Sequence, residues 1–222
     1  MTEHETTSNL GVQVDSSLYA TAGYCCPERF AAYAYQIKEI LDSGAKTVLE
    51  IGPSNGVATY ILRKAGIHVD TIDHDPALKP DFVASVLDLP FAPNAYDAVM
   101  CCQVLEHFPW EHFRKAMQGI SHVARNSIVL SLPHVSRYYY IHFRLPKLGN
   151  RRMSLDWPVN RPMQFDGEHY WEIGKGVGEK NILSVFEDLN LKVEHSYRIP
   201  EHRYHHIFCL SKPTPEVSVR LE

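Results

Sequence analysis

The sequence has no long run of like charges, and its formal net charge is −4. Nucleic-acid binding rests on clustered Lys and Arg. The densest basic spot, Arg151-Arg152 with Lys147 nearby, reads as a solvated loop, so no nucleic-acid partner is expected. No apolar run approaches membrane-crossing length, and Met1 to Asn9 are polar and acidic rather than basic-then-apolar, so neither a membrane span nor a secretory leader is expected. Cysteine is sparse: the five residues fall as Cys25-Cys26, Cys101-Cys102 and Cys209. Neither the spacing nor the odd number suits a zinc site or a disulfide frame, and free thiols in a reducing cytoplasm are the expectation. Histidine is plentiful, but of the neighbours His202, His205 and His206 the last two alternate to opposite faces of a strand, and no metal is expected.

What is present is enough apolar sequence, 45% over 222 residues, to bury a core without such staples. Residues 1–13 read as a flexible tail, and 14–220 as a single domain. Phe30, Tyr33, Ala34, Ile37, Ile40 and Leu41 recur at helical spacing before Gly44. Short apolar runs then alternate with helical stripes. Strands are expected at Thr47–Ile51, Ile67–Asp73, Phe82–Leu87, Tyr96–Cys102 and Ser127–Leu132, which implies βαβ units and a mainly parallel sheet. Residues 134–178 lack sustained periodicity and read as a lid or acceptor-binding insertion after the fifth strand. A helix through Ile182, Phe186 and Leu189 follows, and two strands, Leu191–Ile199 and Tyr204–Ser211, close the chain around an antiparallel turn.

The most informative stretch is Glu50-Ile-Gly52-Pro53-Ser54-Asn55-Gly56, where a strand enters a tight turn of small residues and a helix leaves it. Small residues let the backbone approach a ligand, and a helix start offers free N–H groups. Asp73 follows at the distance expected of an acid that grips ribose hydroxyls. The dinucleotide pattern G-x-G-x-x-G fails, because Ser54 and Val57 stand where glycines belong, and no Gly-Lys-Ser/Thr ending marks a P-loop.

Taken with Thr71-Ile-Asp73-His74-Asp75-Pro, Val86-Leu-Asp88-Leu89-Pro-Phe, Tyr96-Asp-Ala-Val and Gln103-Val-Leu-Glu106-His107, this turn resembles the class I S-adenosylmethionine-dependent methyltransferases, in particular the small-molecule, type 11-like group. The matches run in family order over roughly residues 46–133, with Ser54 in place of the usual middle glycine. The resemblance implies a doubly wound, Rossmann-like α/β fold. Its mainly parallel sheet would have seven strands, helices on both faces, an antiparallel last strand and an N-terminal helical cap. It implies S-adenosylmethionine as cofactor, held by Glu50, Gly52, Pro53, Ser54, Asn55, Gly56, Asp73, His74, Asp88, Leu89 and Gln103. Asp73 would take the ribose hydroxyls, Asp88 the adenine amine beside Leu89, and Glu50 the methionine end.

Methyl transfer from a sulfonium is a displacement by a nucleophile, so the protein supplies position, dryness and, where needed, a base. His107 after the fourth strand and His134 after the fifth are the candidate bases. His169 is expected to be exposed beside a packed Trp171. Tyr19, Tyr24, Tyr138, Tyr139, Tyr140 and Phe143 are candidates to border a pocket for a small, ring-shaped acceptor. Two other readings are a cofactor-binding regulator without turnover and a protein or RNA methyltransferase. The net negative charge speaks against RNA, and nothing in the sequence bears on oligomeric state.

Overall fold

The computed structural model describes residues 16–147 and 149–213. The expected tail at 1–13 and the chain end lie outside the described residues. Helix α1 (Pro27–Asp42) starts on a proline, whose missing N–H costs nothing in a first helical turn. It buries Ala32, Tyr33, Gln36, Ile37, Glu39 and Ile40, while Phe30 and Leu41 at the stripe's margins stay exposed. The chain continues through β1 (Thr47–Ile51), α2 (Val57–Lys64), β2 (His68–Asp73), β3 (Phe82–Val83) and β4 (Tyr96–Cys102). Then come α3 (Phe113–Val123), β5 (Ala124–Pro133), β6 (Ser136–Leu145), β7 (Gly149–Pro158), β8 (Glu172–Ile173) and β9 (Gly176–Val177). Helix α4 (Glu179–Asp188) and strands β10 (Lys192–Arg198) and β11 (His205–Ser211) complete it.

Seven strands form one sheet in the order β3-β2-β1-β4-β5-β11-β10. Strands β1 to β5 pair in parallel, and β11 runs antiparallel to both β5 and β10. The central strands are apolar on both faces because helices cover both: α3 and α4 pack Phe113, Met117, Ile120, Ile182 and Phe186 on one side. On the other, α1 and α2 pack Ile37, Ile40, Ala58 and Leu62. The buried Glu39 carboxylate ties α1 to the antiparallel end of the sheet by accepting from Tyr197 Oη (2.6 Å) and His195 Nε2 (2.9 Å). This is the doubly wound, Rossmann-like arrangement that the resemblance implies. From β1 the chain builds outward through β2 and β3, then returns to add β4 and β5 on the other side. The crevice at the carboxyl ends of β1 and β4 is the switch point where such sheets bind ligands. No helix among the described residues is long and apolar enough to cross a membrane.

Two elements differ from the sequence expectation. The third strand stops at Val83 rather than Leu87: the chain turns at Ser85, whose carbonyl accepts from Asp88 N (3.0 Å), and Val86 and Leu87 are buried in the α3-side core instead. The expected insertion contains a regular hairpin, with β6 and β7 paired antiparallel from Ser136↔Pro158 to Leu145↔Gly149. Its apolar residues alternate, with Tyr139, Ile141, Phe143 and Leu145 on β6 and Met153, Leu155 and Trp157 on β7, so they share one face of the hairpin, and all of them are exposed. The hairpin is held at its base, where Asp156 pairs with Arg198 Nη1 (2.8 Å) and Arg203 Nη2 (2.6 Å).

Candidate active site

Three strand ends frame a single cleft. After β1, Gly52, Ser54 and Gly56 take φ of 73°, 48° and 72°, the left-handed region that favours glycine. At 52 space also demands glycine, since a Cβ would stand 2.5 Å from Val104 Cγ2. At 54 an ordinary residue accepts the left-handed backbone at a cost of about 1 kcal/mol. Its hydroxyl lies 3.5 Å from Tyr33 Oη, which links the turn to α1. The turn is shaped from within, as Pro53 O accepts from Gly56 N (2.8 Å) and Asn55 Oδ1 from Val57 N (3.3 Å).

After β2, Asp73 Oδ1 accepts from Asp75 N (2.9 Å) and faces His74 Nδ1 at 3.3 Å. Burial pushes the Asp73 carboxyl above its ordinary value, against the pull of the Asp75 N–H and His74. After β4, Gln103 adopts φ 56° and is pinned to β5, its N donating to Ser131 O (2.8 Å) and its Nε2 to Ser131 Oγ (3.0 Å).

The cleft these turns enclose holds about 1110 Å³ of space including its open mouth. On its sheet side it is lined by Glu50, Gly52, Ser54, Asp73, His74 and Gln103, and at its mouth by Leu18, Tyr19, Tyr24, Arg29 and Tyr33 from the N-terminal cap. The Arg29 guanidinium stacks 4.0 Å over the Tyr24 ring. Glu50, 5% exposed, accepts from the Thr59 hydroxyl. Burial pushes its pKa up to about 7, opposed by that hydrogen bond and by Arg63.

The opposite wall is a cluster of histidines and carboxylates. His107 Nδ1 donates to Glu168 O (3.0 Å), and its ring meets that of His169 edge-on at 4.9 Å. Asp166 Oδ1 caps the turn that presents His169, accepting from Glu168 N (3.0 Å) and His169 N (2.7 Å). His169 Nδ1 donates to Glu172 Oε1 (3.3 Å), which also accepts from Tyr204 Oη, while Lys175 Nζ lies 2.9 Å from Oε2. Burial would raise the Glu172 carboxyl, but His169, Tyr204 and Lys175 more than offset it and hold its pKa at about 2. Burial lowers His169 less than the hydrogen bond to Glu172 and the charges of Glu106 and Glu168 raise it, so the net movement is upward. Close to the two rings lies Glu106, fully buried, with no hydrogen bond to either carboxylate oxygen from any other described residue.

Of the residues singled out from sequence, Glu50, Gly52, Ser54, Asp73, His74, Gln103 and His107 line the cleft. Pro53, Asn55 and Gly56 shape the turn without lining it. Asp88 and Leu89 do not line it: Asp88 is exposed, and Leu89 packs toward Gly119 of α3. His134 also lies elsewhere. Its Nδ1 is 2.9 Å from His206 Nδ1, and burial lowers its pKa to about 4. Tyr19 and Tyr24 reach the cleft mouth, but no residue of the β6–β7 hairpin does, so Tyr138, Tyr139, Tyr140 and Phe143 do not border it. Trp171 is packed as expected, 1% exposed with Nε1 donating to Phe108 O (3.0 Å). His169 is not exposed beside it; it turns into the cleft with its side chain 14% exposed. Sequence reasoning also missed Glu106, His205 and the Glu172–Tyr204 support; the Asp166-Gly-Glu-His169 turn was the one available signal.

Residues 49–130 match the family described as a methyltransferase domain. No curated protein matches the chain. Among solved structures of similar fold is 1,6-didemethyltoxoflavin-N1-methyltransferase of Burkholderia thailandensis, with 1,6-didemethyltoxoflavin and S-adenosylhomocysteine bound. It is 14% identical at TM-score 0.56, over 83% of this chain and 77% of that one. Magnesium protoporphyrin IX methyltransferase of Synechocystis, with S-adenosylmethionine bound, is 15% identical at TM-score 0.56, over 83% and 81%. A Clostridium acetobutylicum S-adenosylmethionine-dependent methyltransferase is 8% identical at TM-score 0.60, over 89% and 97%. The segment matched to the methyltransferase domain runs from β1 to β5, the strands whose ends frame the cleft.

Proposed function

We propose that this chain transfers the methyl group of S-adenosylmethionine to an O, N or C atom of a small, ring-bearing acceptor that enters between the tyrosine mouth and the histidine wall. One observation carries the reading: Asp73, Glu50 and the left-handed turn at Ser54 converge on one cleft at the switch point of the sheet. The donor set suits the cofactor. Asp73 is a carboxylate acceptor for ribose hydroxyls, Glu50 a buried anion for an ammonium, and Gln103 and Ser54 supply neutral polar atoms between them. Bound there, the cofactor supplies an electrophilic methyl on a sulfonium. Tyr19, Tyr24 and Tyr33 cover the mouth with apolar ring faces that exclude water and suit a flat acceptor. Two of the structural neighbours named above act on ring systems, in keeping with that shape. His107 and His169 face the same space, and the Glu172 carboxylate orients His169 so that its Nε2 can take a proton from the acceptor.

Calorimetry with S-adenosylhomocysteine tests the reading. The wild-type chain is expected to bind it, and Asp73→Ala to weaken binding about tenfold or more, as loss of hydrogen bonds to a charged acceptor requires. Undiminished affinity in the variant removes the ribose role of Asp73. No binding by the wild type removes the cofactor site altogether.

A further inference from the structure

We propose that Glu106, His107 and His169 form a binding site for a divalent first-row transition cation, of the zinc, cobalt or manganese kind, in the histidine wall of the cleft. This goes beyond methyl transfer and does not depend on it. One ligand atom from each of the three residues lies within 4.8 Å of the others. Ligands around zinc sit roughly 3.3 Å apart at bond lengths of about 2.0–2.1 Å, so small side-chain rotations close the set.

The strongest observation is Glu106. A fully buried carboxylate that no other described residue hydrogen-bonds carries a penalty that chains seldom leave uncompensated; only its own backbone N–H is close to it. A cation between it and the two imidazoles supplies the missing partner. The histidines are prepared for that role. His107 gives its Nδ1 proton to Glu168 O and His169 gives its own to Glu172, so each ring has its Nε2 lone pair left for a ligand. A carboxylate or carbonyl behind a ligating imidazole is the outer-shell arrangement that fixes tautomer and ring direction. The Glu172 oxygen is itself held by Tyr204.

Two nitrogens and one carboxylate oxygen suit borderline cations better than Mg²⁺ or Ca²⁺, which prefer sets made wholly of oxygen. His107 and His169 line the cleft while Glu106 lies behind them. The remaining coordination positions therefore face the cleft, where water or an acceptor oxygen can fill them. The sequence gives little hint of the site, because Glu106-His107 and His169 are separated by α3, β5 and the hairpin.

The test is titration of chelator-treated full-length protein with Co²⁺, read by calorimetry and by the visible bands of bound cobalt, then competition with Zn²⁺. One cobalt per chain is expected. Glu106→Gln and His169→Ala should each weaken binding at least about 100-fold, and Glu172→Gln, behind a ligand, about tenfold. His195→Ala removes a member of the separate Glu39, His195 and Cys209 grouping, one of two others among the described residues, and should leave cobalt affinity unchanged. S-adenosylhomocysteine binding and circular dichroism on each variant separate a lost ligand from a lost fold. Absence of cobalt binding by the wild type overturns the proposal. So does wild-type affinity in Glu106→Gln, or loss of the site in His195→Ala.

Discussion

Glu50 lines one wall of the cleft, and Glu106 lies behind the histidines of another. Both are closed to solvent, and burial pushes both carboxyls to about 7. They differ in company. Glu50 has the Thr59 hydroxyl of α2 and a sheet-end turn built around it, whereas the Glu106 carboxylate takes no hydrogen bond from another described residue and has its charged neighbours in the remote segment 166–172. The sheet wall is thus supported from within the chain, and the histidine wall awaits something from outside it. Rigidity should therefore reside on the Glu50 side and responsiveness to ligands on the Glu106 side.

The largest expected effect tests the rigid side. Gly52→Ala places a Cβ 2.5 Å from Val104 Cγ2 on a backbone at φ 73°. Strain and overlap together should cost about 3 kcal/mol in urea unfolding. Adding Val104→Ala to Gly52→Ala should restore the overlap part and leave the strain. A loss below about 1 kcal/mol in the single variant would show a turn that yields, and the contrast between the walls would fail with it.

On the other side, His169→Ala should lower turnover about 100-fold while stability changes little, because general acid–base groups contribute on that scale. His134→Ala, whose ring lies against His206 outside the cleft, should cost less than about tenfold. The pair is measured with one acceptor under saturating cofactor. Equal losses would return His134 to the mechanism that its position after β5 first suggested.

The two walls were also unequally legible. The sheet wall is encoded locally: β1, its turn and β2 are contiguous, so the apolar run, the small residues and Asp73 could be placed from spacing alone. Even Ser54, a departure from the family pattern, falls where the backbone is left-handed. The histidine wall is assembled from three segments whose meeting depends on tertiary packing. Trp171 could be seen as a core residue, but not that burying it between Phe108 and α3 would swing His169 inward. Asp88 falls outside the residues that line the cleft for a related reason. Its motif predicts a strand end at the cleft, but β3 pairs through only Phe82 and Val83, and the following residues serve the core under α3. The hairpin was legible and was missed: Tyr139, Ile141, Phe143 and Leu145, then Met153, Leu155 and Trp157, fall at every second residue, a strand pattern obscured by the adjoining Tyr138 and Tyr140.

The smallest expected effect asks whether Glu50 is shaped for folding or for a ligand. Its carboxyl ionises near 7 when folded and at the ordinary 4.5 when unfolded, so the folded chain binds more protons between those values. The contribution is fully present below pH 4.5 and is lost as pH rises through about 7, a difference of at most about 3 kcal/mol. Glu50→Gln cannot ionise, and its carbonyl can still accept from Thr59. The ligand-free variant should therefore be more stable than wild type at pH 8, by about 1 kcal/mol once the amide's unpaired N–H groups are counted, and should have no advantage at pH 4.5. If the carboxylate meets the ammonium of the cofactor, the same variant must bind S-adenosylhomocysteine more weakly at pH 8. Stability gained with affinity lost identifies a charge kept for its ligand. Stability lost at both pH values assigns Glu50 to the turn alone.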